Sequence, residues 1–97
     1  MPAYIVGQVV MRDPSWVEPY RARVPALVQK HGGRYLVRGG KMETLEGSAA
    51  LPSSIVVLEF PSRAQARAFY DDPEYVACAK LRQDGALTEL VLVDGLT

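Results

Sequence analysis

Apolar residues along the chain fall into four stretches with the pattern of β-strands. Two of them, Ala3–Met11 ("AYIVGQVVM") and residues 55–60 ("IVVLEF"), are apolar at nearly every position, which is typical of a strand buried on both faces. The other two are residues 34–38 ("RYLVR") and residues 87–93 ("LTELVLV"). We also expect "METLEG" at 42–47 to continue the second strand beyond a glycine bulge.

A helical pattern follows the first strand. Asp13 is a favourable N-cap, and Pro14 suits the first helical position. Five residues then recur at steps of three or four on one helical face: Trp16, Tyr20, Val24, Leu27 and His31. Pro19 and Pro25 each remove a helical hydrogen bond, so we expect the helix to kink or break near one of them. Gly32 is predicted to end it.

The second half of the chain repeats this order. Ser62 and Gln65 fit a capping box that begins a second helical region, and Asp72 with Pro73 predicts that this region comes in two pieces. Two β-α-β units with right-handed crossovers give an α+β, ferredoxin-like βαββαβ fold, in which a four-stranded antiparallel sheet carries two broken helices on one face. We expect residues 1–97 to form one domain.

The predicted helices cover only one face of the predicted sheet. The first and third strands are apolar on both faces, so the second face must contact something, and another copy of the chain is the simplest partner. A protomer of 97 residues also has little core of its own. The pattern therefore predicts a homodimer.

Charge and cysteine usage exclude several classes of function. Lys and Arg number 11, as do Asp and Glu, which leaves no electrostatic footprint for nucleic acid or an anionic membrane. No apolar run approaches the ~20 residues that a membrane span requires, and the first ten residues lack the features of a signal peptide. Cys78 is the single cysteine, and the Cys and His spacing offers no zinc site. We expect a cytoplasmic protein without a metal, a nucleic-acid partner or a membrane partner.

Several stretches together resemble one bacterial family. They are "MPAYIV", "YRARVPALVQKHGGRYLVRGG", "VVLEFPSRAQARAFYDDPEY" and "LVLVDG". The family is domain-of-unknown-function family 1330, in the dimeric α/β-barrel superfamily, and the resemblance covers nearly all of the chain. It implies a ferredoxin-like protomer and a dimer whose two sheets face each other in a barrel. It implies no particular reaction, because the superfamily includes cofactor-free monooxygenases, polyketide cyclases, haem proteins and plain ligand binders.

His31 is the candidate catalytic residue. It continues the apolar face of the first helix, so it is predicted to line the junction of helix and sheet near Tyr20. One interpretation is a residue that helps close the helix, where a charged histidine is favoured. The other is a general base, since histidine changes its charge near neutral pH. No partner carboxylate is evident from the sequence, and no haem signature surrounds this histidine, so we expect no cofactor.

Arg38 and Glu59 each interrupt an apolar strand. The second and third strands are neighbours in a ferredoxin-like sheet, so these two side chains are candidates for an ion pair. Buried charges are tolerated only when they are paired. The alternative is that Arg38 binds a substrate carboxylate through two hydrogen bonds.

Three tyrosines are candidates for the wall of a ligand pocket: Tyr20, Tyr70 and Tyr75. An apolar ring with a polar tip suits that place, although aromatic residues at helical spacing more often belong to the core. Tyr70 and Tyr75 flank the predicted helix break, where looser packing would open space over the sheet.

The two Gly-Gly pairs of "HGGRYLVRGG" do not form a phosphate loop, because neither lies between a strand and a helix with the required spacing.

The sequence favours a protein that binds a small apolar or aromatic organic molecule between its helices and sheet. One alternative is a cofactor-free enzyme of the monooxygenase or polyketide-cyclase kind that uses His31 as base. Another is a non-catalytic dimeric structural module.

Overall fold

The computed structural model describes residues 1–96 and has a ferredoxin-like fold. Its strands are β1 (Ala3–Met11), β2 (Arg34–Arg38), β3 (Ser54–Phe60) and β4 (Ala86–Asp94). Its helices are α1 (Val17–Lys30), α2 (Arg63–Asp71) and α3 (Pro73–Gly85). The strands form one antiparallel sheet in the order β2-β3-β1-β4, which confirms the predicted fold class. Within residues 1–96, no helix is both long and apolar enough to span a membrane.

The first helix is continuous, so the predicted break at one of its prolines is wrong. A 3-10 turn at Pro14–Trp16 leads into α1, and Asp13 caps this turn by accepting a hydrogen bond of 2.9 Å from the Ser15 amide. Pro19 lies in the first turn of α1, where a backbone N–H has no helical partner in any case. Pro25 lies farther along, and α1 runs through it.

Two glycines end α1, as the sequence predicts. The amide of Gly33 donates to the carbonyl of Val28 at 2.9 Å, and the amide of Gly32 donates to the carbonyl of Gln29 at 3.0 Å. This pair of bonds is the Schellman motif, which requires a left-handed residue after the helix. Gly32 has φ +80°, a conformation that glycine adopts without a steric penalty.

The second helical region consists of two pieces, as predicted. Ser62 caps α2 by accepting a hydrogen bond of 3.2 Å from the Gln65 amide. Asp72 has extended backbone angles between α2 and α3, and its side chain caps α3 by accepting a bond of 3.0 Å from the Glu74 amide. The local capping chemistry therefore fixes both helix starts.

The helices cover one face of the sheet and leave the other exposed. Alternate residues of the strands pack with the helices in one core, which includes Ala3, Ile5, Leu58, Phe60, Phe69 and Tyr75. The opposite side, which we call the open face, carries the intervening residues, among them Val6, Val57, Leu87, Val91 and Val93. Leu87 is 55% exposed and Val91 is 59% exposed. The open face thus exposes several apolar side chains in the protomer.

The second strand is shorter than predicted. Gly39 and Gly40 both have positive φ and turn the chain out of the sheet, so "METLEG" at 42–47 lies in irregular structure and does not extend β2. A bulge between Tyr35 and Val37 also shifts the register of β2 against β3. As a result Tyr35 and Arg38 both line the helix-facing side of the sheet, whereas simple alternation would separate them.

Candidate functional site

A cavity of about 130 Å³ lies between the helices and the helix-facing side of the sheet. Its lining comes from all four strands and all three helices and includes Ile5, Tyr20, Val24, Tyr35, Phe69 and Leu90. Gly7 forms part of the floor, and a Cβ atom there would lie 2.6 Å from Cδ2 of Leu90. An apolar cavity of ~150 Å³ holds one benzene molecule. This central cavity therefore has room for a ligand built on a single aromatic ring.

Three polar side chains are linked at the wall of the central cavity. The hydroxyls of Tyr20 and Tyr75 lie 3.1 Å apart, and Nη2 of Arg82 donates to the Tyr75 hydroxyl at 3.2 Å. The guanidinium carbon of Arg82 also lies 5.8 Å from the centroid of the Tyr20 ring, which is a cation–π distance. Burial raises the pKa of Tyr20, and the neighbouring Tyr75 raises it further. Tyr20 therefore stays protonated at neutral pH and can act as a hydrogen-bond donor.

Arg82 reaches the cavity because it lies on the buried face of α3. Tyr75, Cys78, Ala79 and Arg82 follow the spacing i, i+3, i+4, i+7, and all four are buried. Arg82 is only 4% exposed. This arginine is not among the residues predicted from the sequence. The available signal was a charged residue on the apolar stripe of a helix, seven positions after Tyr75.

Three polar atoms around the central cavity have no hydrogen-bond partner. They are the only buried side-chain nitrogen or oxygen atoms in this condition among residues 1–96: Trp16 Nε1, Arg82 Nε and Thr88 Oγ1. All three residues line the cavity. Buried polar atoms are nearly always satisfied in folded proteins, so three exceptions on the lining residues of one cavity make this wall a candidate binding surface.

The structure brings together three of the residues predicted from the sequence. Tyr20, Tyr75 and Arg38 line the central cavity. Arg38 is exposed and lies at the rim, with its guanidinium carbon 4.9 Å from the centroid of the Tyr35 ring. Tyr70 lies elsewhere, in two more open grooves beside β4.

Glu59 lies on the open face and pairs with Arg34, so the predicted Arg38–Glu59 ion pair is wrong. Nε of Arg34 donates to Glu59 at 2.7 Å, and the Tyr4 hydroxyl donates to the same carboxylate at 3.1 Å. These two bonds, that of Arg34 first, lower the pKa of Glu59. The register explains the difference, since Arg34 lies opposite Glu59 while Arg38 lies opposite Val56.

His31 ends α1 and contacts a carboxylate that the sequence did not indicate. Its Nε2 donates to Oδ2 of Asp72 at 2.8 Å, and Nζ of Lys30 donates to the same oxygen at 2.9 Å. The bond from His31, followed by that from Lys30, holds the pKa of Asp72 well below its usual range. The His31 ring packs edge-on against Phe69. His31 does not line the central cavity, and Phe69 and Tyr75 lie between it and Tyr20.

In the described part of the chain, no three His, Cys, Asp or Glu side chains are grouped closely enough to hold a metal ion.

Residues 2–96 match the model of a family described as a domain of unknown function, DUF1330. No curated protein matches the sequence.

Solved structures with the same fold come from several bacteria. A protein of unknown function from Rhodopseudomonas palustris is 20% identical over 99% of this chain and 83% of its own, with a TM-score of 0.80. SnoaB, a cofactor-independent oxygenase from Streptomyces nogalater, is 14% identical over 99% of this chain and 94% of its own, with a TM-score of 0.64. A dimeric ferredoxin-like protein of unknown function from Jannaschia sp. CCS1 is 9% identical over 98% of this chain and 100% of its own, with a TM-score of 0.66. At these identities the likeness shows the fold alone.

Proposed function

This chain belongs to the DUF1330 family of domains of unknown function, and from that premise we propose that it binds a small apolar or aromatic organic molecule in the central cavity. The observation that carries the proposal is the cavity itself. Protein interiors are close-packed, and voids larger than a water molecule are few in one domain. A space of about 130 Å³ with aromatic walls and a few converging polar groups has the character of a ligand site.

We further propose that the protein is a homodimer in which a second copy covers the open face. The exposed apolar residues of that face, with Val91 at 59% exposure, support this arrangement. The protein from Jannaschia is described as dimeric, and the family resemblance implies facing sheets. The central cavity would then lie on the outer side of each sheet, beneath the helices.

A cofactor-free oxygenase or cyclase is the second candidate function. It is favoured by the likeness of the fold to SnoaB and by the His31–Asp72 hydrogen bond, in which a carboxylate orients a possible base. Since His31 lies outside the cavity lining, this candidate requires a substrate that reaches the end of α1.

Trp16 provides a direct test of ligand binding, because it is the single tryptophan of the chain and lines the central cavity. We expect some members of a panel of phenols, aromatic alcohols, amides and acids to change its fluorescence saturably. The same compounds should raise the melting temperature, since a ligand at about 100 times its Kd stabilises a protein by about 2.7 kcal/mol.

Two matched variants locate the binding event. Val56→Phe adds a ring to the cavity floor and should abolish the fluorescence change. Val76→Phe makes the same chemical change on the exposed side of α3, outside the cavity lining, and should leave binding intact. If no compound in the panel gives a saturable change, the non-catalytic structural module becomes the better description.

A further inference from the structure

Arg82 carries a buried charge without a counter-charge. Its side chain is 4% exposed, and among residues 1–96 no carboxylate lies within ion-pairing distance of it. Its contact to the Tyr75 hydroxyl at 3.2 Å is a hydrogen bond to a neutral group, and Nε has no partner. A guanidinium stays protonated at all ordinary pH values, so this charge cannot be removed by loss of a proton. A buried charge of this kind is normally paired.

The charges around the central cavity all have one sign. Its charged lining residues are Arg21, Arg38 and Arg82, and no Asp or Glu lies among them, although the whole chain has zero formal net charge. Arg21 and Arg38 are exposed, and Arg82 is buried deeper in the fold. This arrangement attracts an anion to the opening and provides a cationic partner inside.

Further donors are available on the same cavity. Trp16 Nε1 can only donate a hydrogen bond, and the hydroxyl of Thr88 can donate or accept. Water molecules would satisfy these atoms and Arg82 Nε, but water supplies no negative charge. A carboxylate supplies a negative charge, and it also accepts two parallel hydrogen bonds from one guanidinium.

We infer that the natural ligand is a small aromatic carboxylate, whose carboxylate binds Arg82 and whose ring lies between the helices and the sheet. This inference rests on the proposed function, because it assumes that the central cavity is the ligand site. In this inference Arg82 binds the ligand carboxylate, a role for which Arg38 was the candidate on sequence grounds.

Matched acids and amides test the charge of the ligand at nearly constant shape. The pairs are benzoate with benzamide and phenylacetate with phenylacetamide, each titrated calorimetrically at low salt. We expect the best acid to bind at least about tenfold more tightly than its amide, as for a hydrogen bond to a charged group. Arg82→Met should remove this preference and still bind the amide. Arg63→Met, which changes an exposed arginine paired with Asp94, should keep it.

A measurement on the unsubstituted protein covers the case in which Arg82→Met does not fold. The indole N–H of Trp16 gives one resonance in a ¹⁵N-labelled sample, because the chain has one tryptophan. The acid should strongly shift both the Trp16 indole resonance and the Arg82 Nε–H resonance. The amide should shift the Arg82 resonance only weakly.

The outcomes separate the inference from the proposed function. If an acid and its amide bind equally, or if the acid preference survives Arg82→Met, the inference is overturned while ligand binding in the cavity stands. If no acid and no amide binds but a phenol or an aromatic alcohol does, the inference fails while the proposed function stands. If no compound of any class binds, both fail.

Discussion

Arg82 differs from the other arginines of this protein in having its charge inside the fold. Arg34, Arg63 and Arg67 each pair with a carboxylate where water screens the interaction, so their contribution to stability is small. Arg82 instead has two phenols beside it and a free Nε. A residue that is costly to bury and poorly satisfied is typical of a functional site, where stability is lowered in favour of binding.

Removing Arg82 should therefore not weaken the unliganded protein. We expect Arg82→Met to leave the free energy of unfolding unchanged or to increase it by up to about 2 kcal/mol, because an unpaired buried charge disappears while the apolar stem remains. Urea denaturation of the protein without ligand measures this. Arg63→Met should change the value by no more than about 0.5 kcal/mol. A loss above about 2 kcal/mol in Arg82→Met would indicate a structural role instead.

At the scale of elements, one carboxylate joins the end of α1 to the start of α3. Asp72 caps α3 through Glu74 and accepts hydrogen bonds from Lys30 and His31 at the end of α1. The charges of Asp72 and Lys30 lie where helix dipoles favour them, with the anion at a helix start and the cation at a helix end. The junction fixes how the two helices above the central cavity meet.

His31→Asn tests whether this junction is structural or catalytic. Asn is shorter, so the contact with Asp72 is lost, and we expect the free energy of unfolding to fall by about 1 kcal/mol or more. Ligand affinity should not change, since His31 lies outside the cavity lining. Denaturation and the Trp16 fluorescence titration measure the two quantities on one variant. If turnover is found, and if it is abolished in this variant while stability is kept, His31 is the base of the second candidate function.

Acid should weaken the same junction. The pKa of Asp72 is lowered in the folded protein, mainly by His31, so its carboxylate stabilises the fold above the unfolded pKa of about 4 and loses that effect as the pH falls. Asp72→Asn keeps an N-cap side chain but removes the charge. Compared with the natural sequence, we expect this variant to melt at a lower temperature at pH 7. Its melting temperature should also decline less steeply between about pH 5 and pH 2.

Asp71→Asn is the matched control for this experiment. Asp71 is the preceding residue, and it is half exposed and pairs with Arg67 one helical turn away. Its replacement should scarcely alter the pH profile. Equal profiles for the two variants would contradict the role assigned to Asp72.

For the whole molecule, the sheet has two chemically different sides. The helix-facing side encloses the core and the central cavity, while the open face exposes Leu87, Val91 and Val93. A protein of 97 residues gains little from a single core, and covering an apolar sheet face with a second copy extends it.

Val91→Lys should therefore prevent dimer formation. Val91 lies opposite Val6 near the middle of the open face, and a lysine there would place a charge in the interface. We expect light scattering at micromolar concentration to give a dimer for the natural sequence and a monomer for Val91→Lys. Val76→Lys, on the exposed side of α3, should remain dimeric. A monomer for the natural sequence would refute the proposed assembly.

The sequence by itself determined the elements and their caps. Strand periodicity, the Asp-Pro starts, the capping serine Ser62 and the glycine end of α1 all depend on residues close together in the chain, so they can be read locally. The apolar open face also followed from the pattern, because two helical regions cannot cover both sides of a sheet. Local signals failed at β2, where glycines with positive φ end a strand that was expected to continue beyond a glycine bulge.

Only the tertiary structure decided which side chains meet. The contact between His31 and Asp72 spans 41 positions, and it depends on the crossing of two helices. Glu59 pairs with Arg34 because the antiparallel register places these two residues opposite each other, and the bulge in β2 farther along turns Arg38 to the helix-facing side. The role inferred for Arg82 depends on the central cavity, which forms only when the helices pack on the sheet. Contacts of this kind depend on register and packing, and neither is encoded in the period of a single segment.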